Sequence, residues 1–341
     1  MADRTALVTG ATGFIGGRLV AALLESGWAV RATGRRPRPE ALPAAAEYRS
    51  ADLAGEDDLA PLLDEVTHLF HLAGASSSKS SEDEMYRSNV VGTQRLIDAA
   101  RRSPTLGRLL YMSTTAVYGE EVPLPSPVPE DTEPHPSRVY GKTKWATEQV
   151  LWAADREGLP VTVVRPVSVY GPGNTKLLAS AVLDVAIERF AGQPAVAVPT
   201  ASIEQRLVHI DDVTRACLHL AVHPWSPGLA YNVVFPTYPT SHQVVDAIAR
   251  ELGVAVELQD DPECGLDYDA RAATRDQMLA AGMAPDILFT KERFRFLRKA
   301  NRNNRLSIDA LLSTGFQFQE DDLENGIRKT VSWYREKRWI L

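Results

Sequence analysis

Tyr140 and Lys144 lie four residues apart in SRVYGKTKWATEQ (137–149), a segment whose pattern predicts a helix. Residues at this spacing share one helix face, so the phenol and the ammonium group could act together. An unperturbed tyrosine has a pKa of ~10, so about one molecule in a thousand is ionised at neutral pH. A shift of ~3 units, about 4 kcal/mol, would bring it into range for general acid–base catalysis. The pair alone fits a solvated helix equally well, so other parts of the chain must decide.

The first half of the chain alternates strand-like and helix-like segments. The β-rich runs are TALVTG (5–10), WAVRAT (28–33), THLFHLA (67–73), RLLYMS (108–113) and VTVVRP (161–166). Helical patterns between them include FIGGRLVAALLES (14–26) and EDEMYRSNVVGTQRLIDAARR (82–102). This alternation predicts an α/β fold with a doubly wound parallel sheet, which binds ligands beyond the carboxyl ends of its strands.

We expect two domains in a chain of 341 residues. The nucleotide-binding domain is predicted to comprise residues 1–172 plus about 206–235. A smaller domain comprises about 173–205 plus 236–341, with a closing helix near 324–337. The Pro-rich stretch 122–137 is predicted to form a loop over the strand ends, because proline interrupts helices and central strands.

A glycine-rich turn follows the first predicted strand. In VTGATGFIG (8–16), Gly10, Gly13 and Gly16 permit a tight turn, a close approach to a pyrophosphate and helix–strand packing. Phe14 and Ile15 open the next helix, whose free N–H groups and dipole favour phosphate. The turn therefore predicts a dinucleotide site.

The end of the second strand bears on the choice of cofactor. An acidic residue there would bind a ribose 2′-hydroxyl, but in ATGRRPR (32–38) that position falls at Gly34, followed by Arg35 and Arg36. Arginine suits a 2′-phosphate, so we predict NADP, with NAD as the alternative. The competing interpretation is that both arginines are ordinary surface charge.

Further motifs occur in order along the chain, and together they resemble the extended short-chain dehydrogenase/reductase family. Within that family the likeness is to the NAD-dependent epimerase/dehydratase group and its 3β-hydroxysteroid-dehydrogenase-like branch, and it covers residue 5 to about 335. The motifs are Asp52-Leu53, HLAG (71–74), NVVGT (89–93), STTAVYG (113–119) and RPVSVYGPG (165–173).

The resemblance implies a Rossmann-type domain with a smaller C-terminal substrate-binding domain. It implies that Tyr140 is the acid/base and that Lys144 holds the nicotinamide ribose and lowers the tyrosine pKa. Thr114, four residues before Tyr118, would bind the reacting oxygen. The remaining implied cofactor contacts are Asp52, Leu53, Leu72, Ala73, Gly74, Asn89 and Pro166.

Departures from the family pattern bear on the substrate. Thr115-Ala116 stand where 4,6-dehydratases have Asp-Glu, so dehydration is not expected. Gln205 stands where epimerases have a diphosphate-binding arginine, Ser168 replaces an expected asparagine, and no R-x-G-D-like segment occurs at 298–309. These differences argue against a nucleotide sugar, and the C-terminal run resembles reductases of less polar carbonyls.

We therefore predict an NAD(P)-dependent oxidoreductase acting on a small-molecule ketone or secondary alcohol. One alternative is a nucleotide-sugar 4-epimerase with tightly bound NAD, and another is a non-catalytic NADP-sensing regulator. The resemblance also implies a homodimer. The basic-aromatic stretch KERFRFLRKANRNNR (291–305) is interpreted as an amphipathic helix with a solvated basic face, the alternative being a lid over an anionic or lipid substrate.

Composition excludes several classes of protein. A net charge of −7 argues against a general nucleic-acid binder. Cys217 and Cys264 are far apart and no C-x-x-C occurs, so neither a disulfide framework nor a metal site is expected. No apolar run approaches the ~20 residues of a membrane span, and the N-terminus leaves no room for a signal peptide. We expect a cytoplasmic protein.

Overall fold

The computed structural model describes residues 4–76, 80–119, 123–260, 265–294, 304–319 and 322–341. The chain divides into two compact units. The first unit comprises Met1–Val167, Asp211–Val234 and Asn304–Gln317, and the second unit comprises Ser168–Ile210, Phe235–Asn303 and Phe318–Leu341. Within the described ranges, no helix combines the length and apolar character that a bilayer span requires.

A seven-stranded parallel sheet forms the centre of the first unit. Its strands are β1 (Thr5–Thr9), β2 (Ala29–Gly34), β3 (Glu47–Ser50), β4 (His68–His71), β5 (Arg108–Met112), β6 (Val161–Pro166) and β10 (Leu229–Val233). Their order is β10-β6-β5-β4-β1-β2-β3, so the order reverses between β1 and β4. The prediction of a doubly wound parallel sheet is confirmed, and such a reversal opens a ligand crevice at the strand ends.

One edge strand, β3, was absent from the predicted elements. Its four residues, EYRS, are mostly polar and partly exposed, so they carry no apolar run by which a strand could be recognised. The strand pairs in parallel with β2, placing Ser50 beside Gly34. Its position matters because it covers the outer side of the β2 end.

The sheet is covered by helices, most of which join successive strands. The helices of the first unit are α1 (Phe14–Glu25), α2 (Glu82–Tyr86), α3 (Gly92–Ala100), α4 (Val139–Arg156), α6 (Ile210–Val222) and α9 (Asp309–Ser313). Leu96 and Ile97 of α3 and Leu151 of α4 pack with Leu69 and Leu109 in one buried cluster. Alternating strand residues such as Ala6 and Val8 face the other side of the sheet and are equally buried.

The helix predicted over 82–102 is interrupted. A π-helical turn, Arg87–Val91, separates α2 from α3. Its central residue, Asn89, is buried. Such turns commonly place a side chain at a functional site, and the Asn89 amide bonds to Ala75, beyond the end of β4.

The second unit has two short parallel strand pairs and its own apolar core. Strands β7 (Ser168–Tyr170) and β9 (Leu207–His209) pair with each other, as do β8 (Ala195–Pro199) and β11 (Ala255–Gln259). Its helices are α5 (Leu178–Phe190), α7 (Ser241–Leu252), α8 (Tyr268–Ala280) and α10 (Leu323–Glu336). Helix α5 is buried over almost its whole length and is the centre of this core.

The boundaries of these units differ from the predicted domain limits in one main respect. Residues 304–317, expected in the second domain, belong to the first unit. Backbone hydrogen bonds explain this, since Val128 N–H donates to Arg305 (2.7 Å) and Ser307 N–H donates to Val128 (2.9 Å). Of the basic-aromatic stretch 291–305, residues 295–303 lie outside the described residues, as does Cys264.

Candidate active site

The glycine turn holds β1 close to β4. Gly10 has φ +69°, and a Cβ atom there would lie 2.7 Å from Ala73 N and 2.8 Å from Leu72 C. A Cβ atom on Gly16 would lie 2.2 Å from the Gly10 carbonyl oxygen. Only glycine fits either position, because the contacted atoms are backbone that cannot rotate away.

Helix α1 begins at this turn with its first N–H groups available. Gly13 is the N-cap, makes no side-chain capping bond, and is followed by no acidic residue in the first turn. Among the described residues, the N–H groups of Phe14, Ile15 and Gly16 have no hydrogen-bond partner. The free donors and the positive end of the helix dipole form a site for an anion such as a pyrophosphate.

The end of β2 carries positive charge and no carboxylate. A Cβ atom on Gly34 would lie 3.0 Å from Thr12 Cγ2 and 3.2 Å from the Tyr48 hydroxyl, so this position is crowded. Tyr48 donates its hydroxyl proton to the carbonyl of Arg36 at 2.5 Å. The side chains of Arg35 and Arg36 are exposed and make no hydrogen bond or ion pair with the described residues.

The Asp52-Leu53 segment is a loop whose conformation is fixed by hydrogen bonds. Asp52 Oδ1 accepts the N–H of Ala54 at 3.0 Å, and the N–H of Asp52 donates to Asp57 at 2.7 Å. Arg95 of α3 donates to the carbonyls of Leu53 and Asp57, both at 2.8 Å. The Asp52 carboxylate therefore has a fixed place with one oxygen still free of described partners.

Asn89 connects the end of β4 to the helix that carries Tyr140. Its Oδ1 accepts the N–H of Ala75 at 2.6 Å, and its Nδ2 donates to the Ala75 carbonyl at 3.1 Å and to Thr143 Oγ1 at 3.0 Å. A Cβ atom on Gly74 would lie 2.8 Å from Asn89 Oδ1. The amide thus fixes the Leu72–Gly74 backbone relative to α4.

His71 is part of the same scaffold. Its Nδ1 lies 2.7 Å from Thr9 Oγ1, and its Nε2 lies 2.7 Å from Thr93 Oγ1. Burial, with the nearby charge of Lys144, lowers the pKa of His71 to about 3. The imidazole is therefore neutral at physiological pH and joins β1, β4 and α3.

Thr114 and Tyr140 come together at the end of β5, an arrangement that the family resemblance implies. Thr114 accepts the N–H of Ala116 at 3.2 Å and shares a hydrogen bond with the Tyr140 phenol. The two neighbouring hydroxyl groups have other partners. Ser113 donates to Glu148, and Thr115 donates to the Pro166 carbonyl at 3.5 Å. One hydroxyl and one phenol thus converge where a substrate oxygen could be held.

The tyrosine is protonated in this arrangement. Burial raises the pKa of Tyr140 to about 12, although the Thr114 hydrogen bond lowers it. The family likeness implies that Lys144 lowers this pKa, and here it makes no such contribution. The reason is its direction, since Lys144 Nζ donates to the Met112 carbonyl at 2.5 Å and lies 4.2 Å from the centre of the Tyr111 ring.

The lysine itself is unusual. Burial lowers the pKa of Lys144 to about 7, and the charge of Glu148 opposes that effect. A group with this pKa changes charge in the physiological range. Two of its three N–H donors remain for a ligand, since the described residues accept only one.

Glu148 and Arg165 form a buried ion pair that pattern reading did not predict. Arg165 donates from Nε to Glu148 Oε1 at 3.1 Å and from Nη2 to Oε2 at 2.6 Å. Its Nη1 donates to the Tyr118 hydroxyl and to the Glu130 carbonyl, both at 2.9 Å. The spacing of Glu148 four residues after Lys144 was the one available signal, because it puts both on the same face of α4.

Every predicted site residue lies in the first unit. Most lie at or just after the ends of β1 to β6, whereas Asn89 lies in the π-helical turn and Tyr140 and Lys144 lie in α4. Pro166 is the last residue of β6. Gln205, in the second unit, is buried and its N–H donates to the Pro239 carbonyl at 2.8 Å. No group of three or more His, Cys, Asp or Glu side chains within the described ranges is arranged to hold a metal ion.

Comparison with known proteins agrees with this geometry. A profile of the NAD dependent epimerase/dehydratase family matches residues 6–233. The chain belongs to this family. The resemblance drawn from the motifs is therefore confirmed.

Two relatives show the range of the likeness. The chain is 32% identical over 265 residues to dTDP-6-deoxy-L-talose 4-dehydrogenase (NAD(P)(+)) of Kitasatospora kifunensis, which covers 75% of this chain and 81% of that one. It is 27% identical over 260 residues to the uncharacterized protein y4nG of Sinorhizobium fredii, covering 76% of this chain but only 63% of that protein.

A solved structure extends the likeness to both units. The UDP-glucose 4-epimerase of Thermus thermophilus, in complex with NAD, matches 97% of this chain and 99% of its own, with a TM-score of 0.71 and 26% identity. The chain is an oxidoreductase or epimerase that uses a nicotinamide dinucleotide. The alternative of a non-catalytic regulator is not retained.

Proposed function

We propose that the chain catalyses the reversible reduction of a ketone to a secondary alcohol with NADPH. The observation that carries this proposal is the hydrogen-bonded Thr114–Tyr140 pair at the end of β5, with Lys144 one helical turn further along α4. The pair offers a proton donor and a second hydroxyl to one substrate oxygen, which is the arrangement that carbonyl reduction needs.

The cofactor, when bound, supplies or accepts the hydride. Its pyrophosphate would be held at Gly10, Gly13 and Gly16 and by the N–H groups of Phe14 and Ile15. Asp52 and Leu53 would meet the adenine. The other contacts that we propose are Leu72, Ala73, Gly74, Asn89, Tyr140, Lys144 and Pro166.

Proton transfer is assigned to Tyr140. Its raised pKa keeps the phenol protonated, so in the reducing direction it can donate to the oxygen that gains negative charge. Thr114 would hold that same oxygen. Lys144 would donate to the ribose hydroxyls of the cofactor.

NADP is the preferred cofactor in this proposal. Gly34 offers no carboxylate to a ribose 2′-hydroxyl, and the crowding by Thr12 and Tyr48 leaves no room for one without movement. Arg35 and Arg36 are exposed guanidinium groups with no described partner, and they can bind a 2′-phosphate. The solved epimerase contains NAD, so NAD stands as the alternative cofactor.

Two kinds of ketone are candidate substrates in this proposal, a less polar carbonyl compound and a keto sugar nucleotide. Gln205 in place of an arginine argues against a diphosphate contact, whereas the Kitasatospora relative is named for a deoxysugar nucleotide. A 4-epimerase with tightly bound NAD is the second candidate, favoured by the full-length likeness to the Thermus enzyme. A homodimer and a cytoplasmic location remain predictions from the sequence.

The test uses freshly purified protein. Denaturation should release little nucleotide, and NADPH should then be oxidised in the presence of a steroid ketone or a 4-keto sugar nucleotide. The matched control is Tyr140→Phe, which keeps the ring and removes the proton donor. Release of NAD in near-stoichiometric amount, with no net oxidation of NADPH by any ketone, would contradict the reductase and favour the epimerase.

A further inference from the structure

Glu148 is a buried carboxylate bonded by groups from two different strands. It projects from α4 one turn beyond Lys144 and is fully buried. Arg165 of β6 clamps it with two N–H donors, and the Ser113 hydroxyl at the end of β5 donates to the same carboxylate. One side chain therefore joins three elements.

Each of those anchors is next to a residue of the proposed site. Ser113 immediately precedes Thr114, and Arg165 immediately precedes Pro166. A displacement of the Glu148 carboxylate would therefore move Thr114, the Pro166 end of β6 and helix α4 relative to one another. Sites of this kind lose activity when their parts shift by about 1 Å.

The cluster rests on a rigid base. Arg165 also donates to the Tyr118 hydroxyl, which donates to Asn232 Oδ1 at 2.8 Å. Asn232 Nδ2 in turn donates to the carbonyls of Val128 (3.3 Å) and Ser307 (3.1 Å). The Arg165 guanidinium is therefore held on two sides. Glu148 binds it on one side, and on the other it contacts a Tyr118 hydroxyl that is itself fixed by Asn232.

The surroundings of Lys144 contain one negative charge among the described residues. Its neighbours on β5 are the Met112 carbonyl and the Tyr111 ring, and its neighbour on β4 is the imidazole of His71. The pKa of His71 is lowered to about 3, so it is neutral at pH 7, and burial raises the pKa of Tyr111 well above its usual value.

On α4 itself, Lys144 has Tyr140 one turn before it and Glu148 one turn after it. Tyr140 is protonated, because burial raises its pKa to about 12. Only the Glu148 carboxylate offsets the burial of the ammonium group.

We propose that Glu148 is a positioning residue, which fixes α4 against the ends of β5 and β6 and keeps Lys144 charged for its contact with the cofactor. The inference rests on the proposed role of Lys144 in binding the ribose. It assigns to the Glu148–Arg165–Ser113 cluster a role in activity as well as in packing.

The experiment measures the dissociation constant of NADPH by fluorescence between pH 5.5 and 9. Charge-assisted hydrogen bonds are the stronger ones, so wild-type affinity should fall as Lys144 loses its proton. In Glu148→Gln the fall should come about one pH unit lower, because an opposite charge nearby raises a lysine pKa by that order. Lys144→Met should show no such fall, and this result would assign the midpoint of the wild-type pH titration to the proton of Lys144.

Two control variants separate charge from packing. Glu157→Gln removes an exposed carboxylate at the end of the same helix, paired with Arg101, and should keep the wild-type midpoint. Glu148→Asp keeps the charge and should also keep the midpoint, even if affinity drops at every pH. A purely structural Glu148 would instead give Glu148→Gln the wild-type midpoint, and that result overturns the proposal.

Glu148→Gln leaves Arg165 buried without its charge partner and could fail to fold. Glu148→Gln with Arg165→Met removes both charges together, a replacement that buried pairs often tolerate. This double variant should also show an acid shift, since Glu148 supplies the charge that raises the pKa of Lys144. The shift should be smaller than in Glu148→Gln, because the opposing charge of Arg165 is removed as well. An unshifted midpoint here, or a wild-type constant that does not change between pH 6 and 8, contradicts the proposal.

The titration needs no ketone. A chain that binds NADPH but reduces none of the ketones tested would contradict the proposed function and would still give a result on Glu148. Conversely, an active reductase whose Glu148→Gln midpoint is unshifted would keep the function and lose the positioning role.

Discussion

The proposed cofactor site has two ends that differ in construction. The reaction end comprises Thr114, Tyr140 and Lys144, and the ribose-phosphate end comprises Arg35 and Arg36. At the reaction end, every polar side chain is at least partly buried and has a described hydrogen-bond partner. At the ribose-phosphate end, both guanidinium groups are exposed and have none among the described residues.

The difference reflects what each end must do. Proton transfer requires donors at fixed positions, so the reaction end is held by Asn89, Glu148 and Arg165 through α4, β5 and β6. Recognition of a 2′-phosphate requires only charge within reach, so long and flexible side chains suffice. We therefore expect changes at the reaction end to act on kcat and changes at the ribose-phosphate end to act on affinity.

The largest effect is expected from Tyr140→Phe. The variant loses the proton donor but keeps the ring, so kcat for ketone reduction should fall by about 10²- to 10⁴-fold. Affinity for NADPH should fall far less than kcat, since Tyr140 is one of many proposed cofactor contacts, and the melting temperature should stay near wild type. The measurements are steady-state kinetics and thermal unfolding, and a kcat within threefold of wild type would remove Tyr140 from the chemistry.

A smaller effect is expected from Arg35→Ala combined with Arg36→Ala. Loss of charge-assisted bonds to a 2′-phosphate should raise the dissociation constant of NADPH by about tenfold, with that of NADH unchanged. Titration with both cofactors checks this. Equal weakening of NADPH and NADH would mean that the arginines contact the common part of the cofactor, and no weakening would favour NAD.

The smallest effect is expected from salt. Exposed charges are screened strongly at high ionic strength, since the Debye length falls from about 10 Å at 0.1 M to about 3 Å at 1 M. The preference for NADPH over NADH should therefore shrink several-fold over that range, while kcat at saturating cofactor changes little. A preference that is independent of salt would place the discriminating contact in a buried position.

Much of the fold could be predicted because its signals are local. Five strands and the glycine turn follow from apolar runs and from glycine spacing, whereas the roles of Thr114 and Tyr140 in one site are implied by the family resemblance. The edge strand β3 has no apolar run, and the π-helical turn at Arg87–Val91 leaves the surrounding helical pattern unchanged. Neither could be predicted from periodicity.

The buried ion pair shows a second kind of limit. Glu148 and Arg165 lie 17 residues apart on different elements, and charged residues usually occupy solvated faces, so nothing in the sequence marks them as partners. The same is true of residues 304–317, which join the first unit through backbone bonds to Val128. Long-range polar contacts of this kind require the folded structure.

The central claim is net reduction of a ketone with Tyr140 as proton donor. The most direct measurement is a single turnover with NADPH carrying deuterium at the transferred position, in wild type and in Tyr140→Phe. The account predicts one deuterium in the alcohol carbon per NADPH oxidised in wild type, and almost none on the same timescale in the variant. Conversion of a sugar nucleotide to its epimer, with bound NAD and no deuterium gained from NADPH, would contradict it.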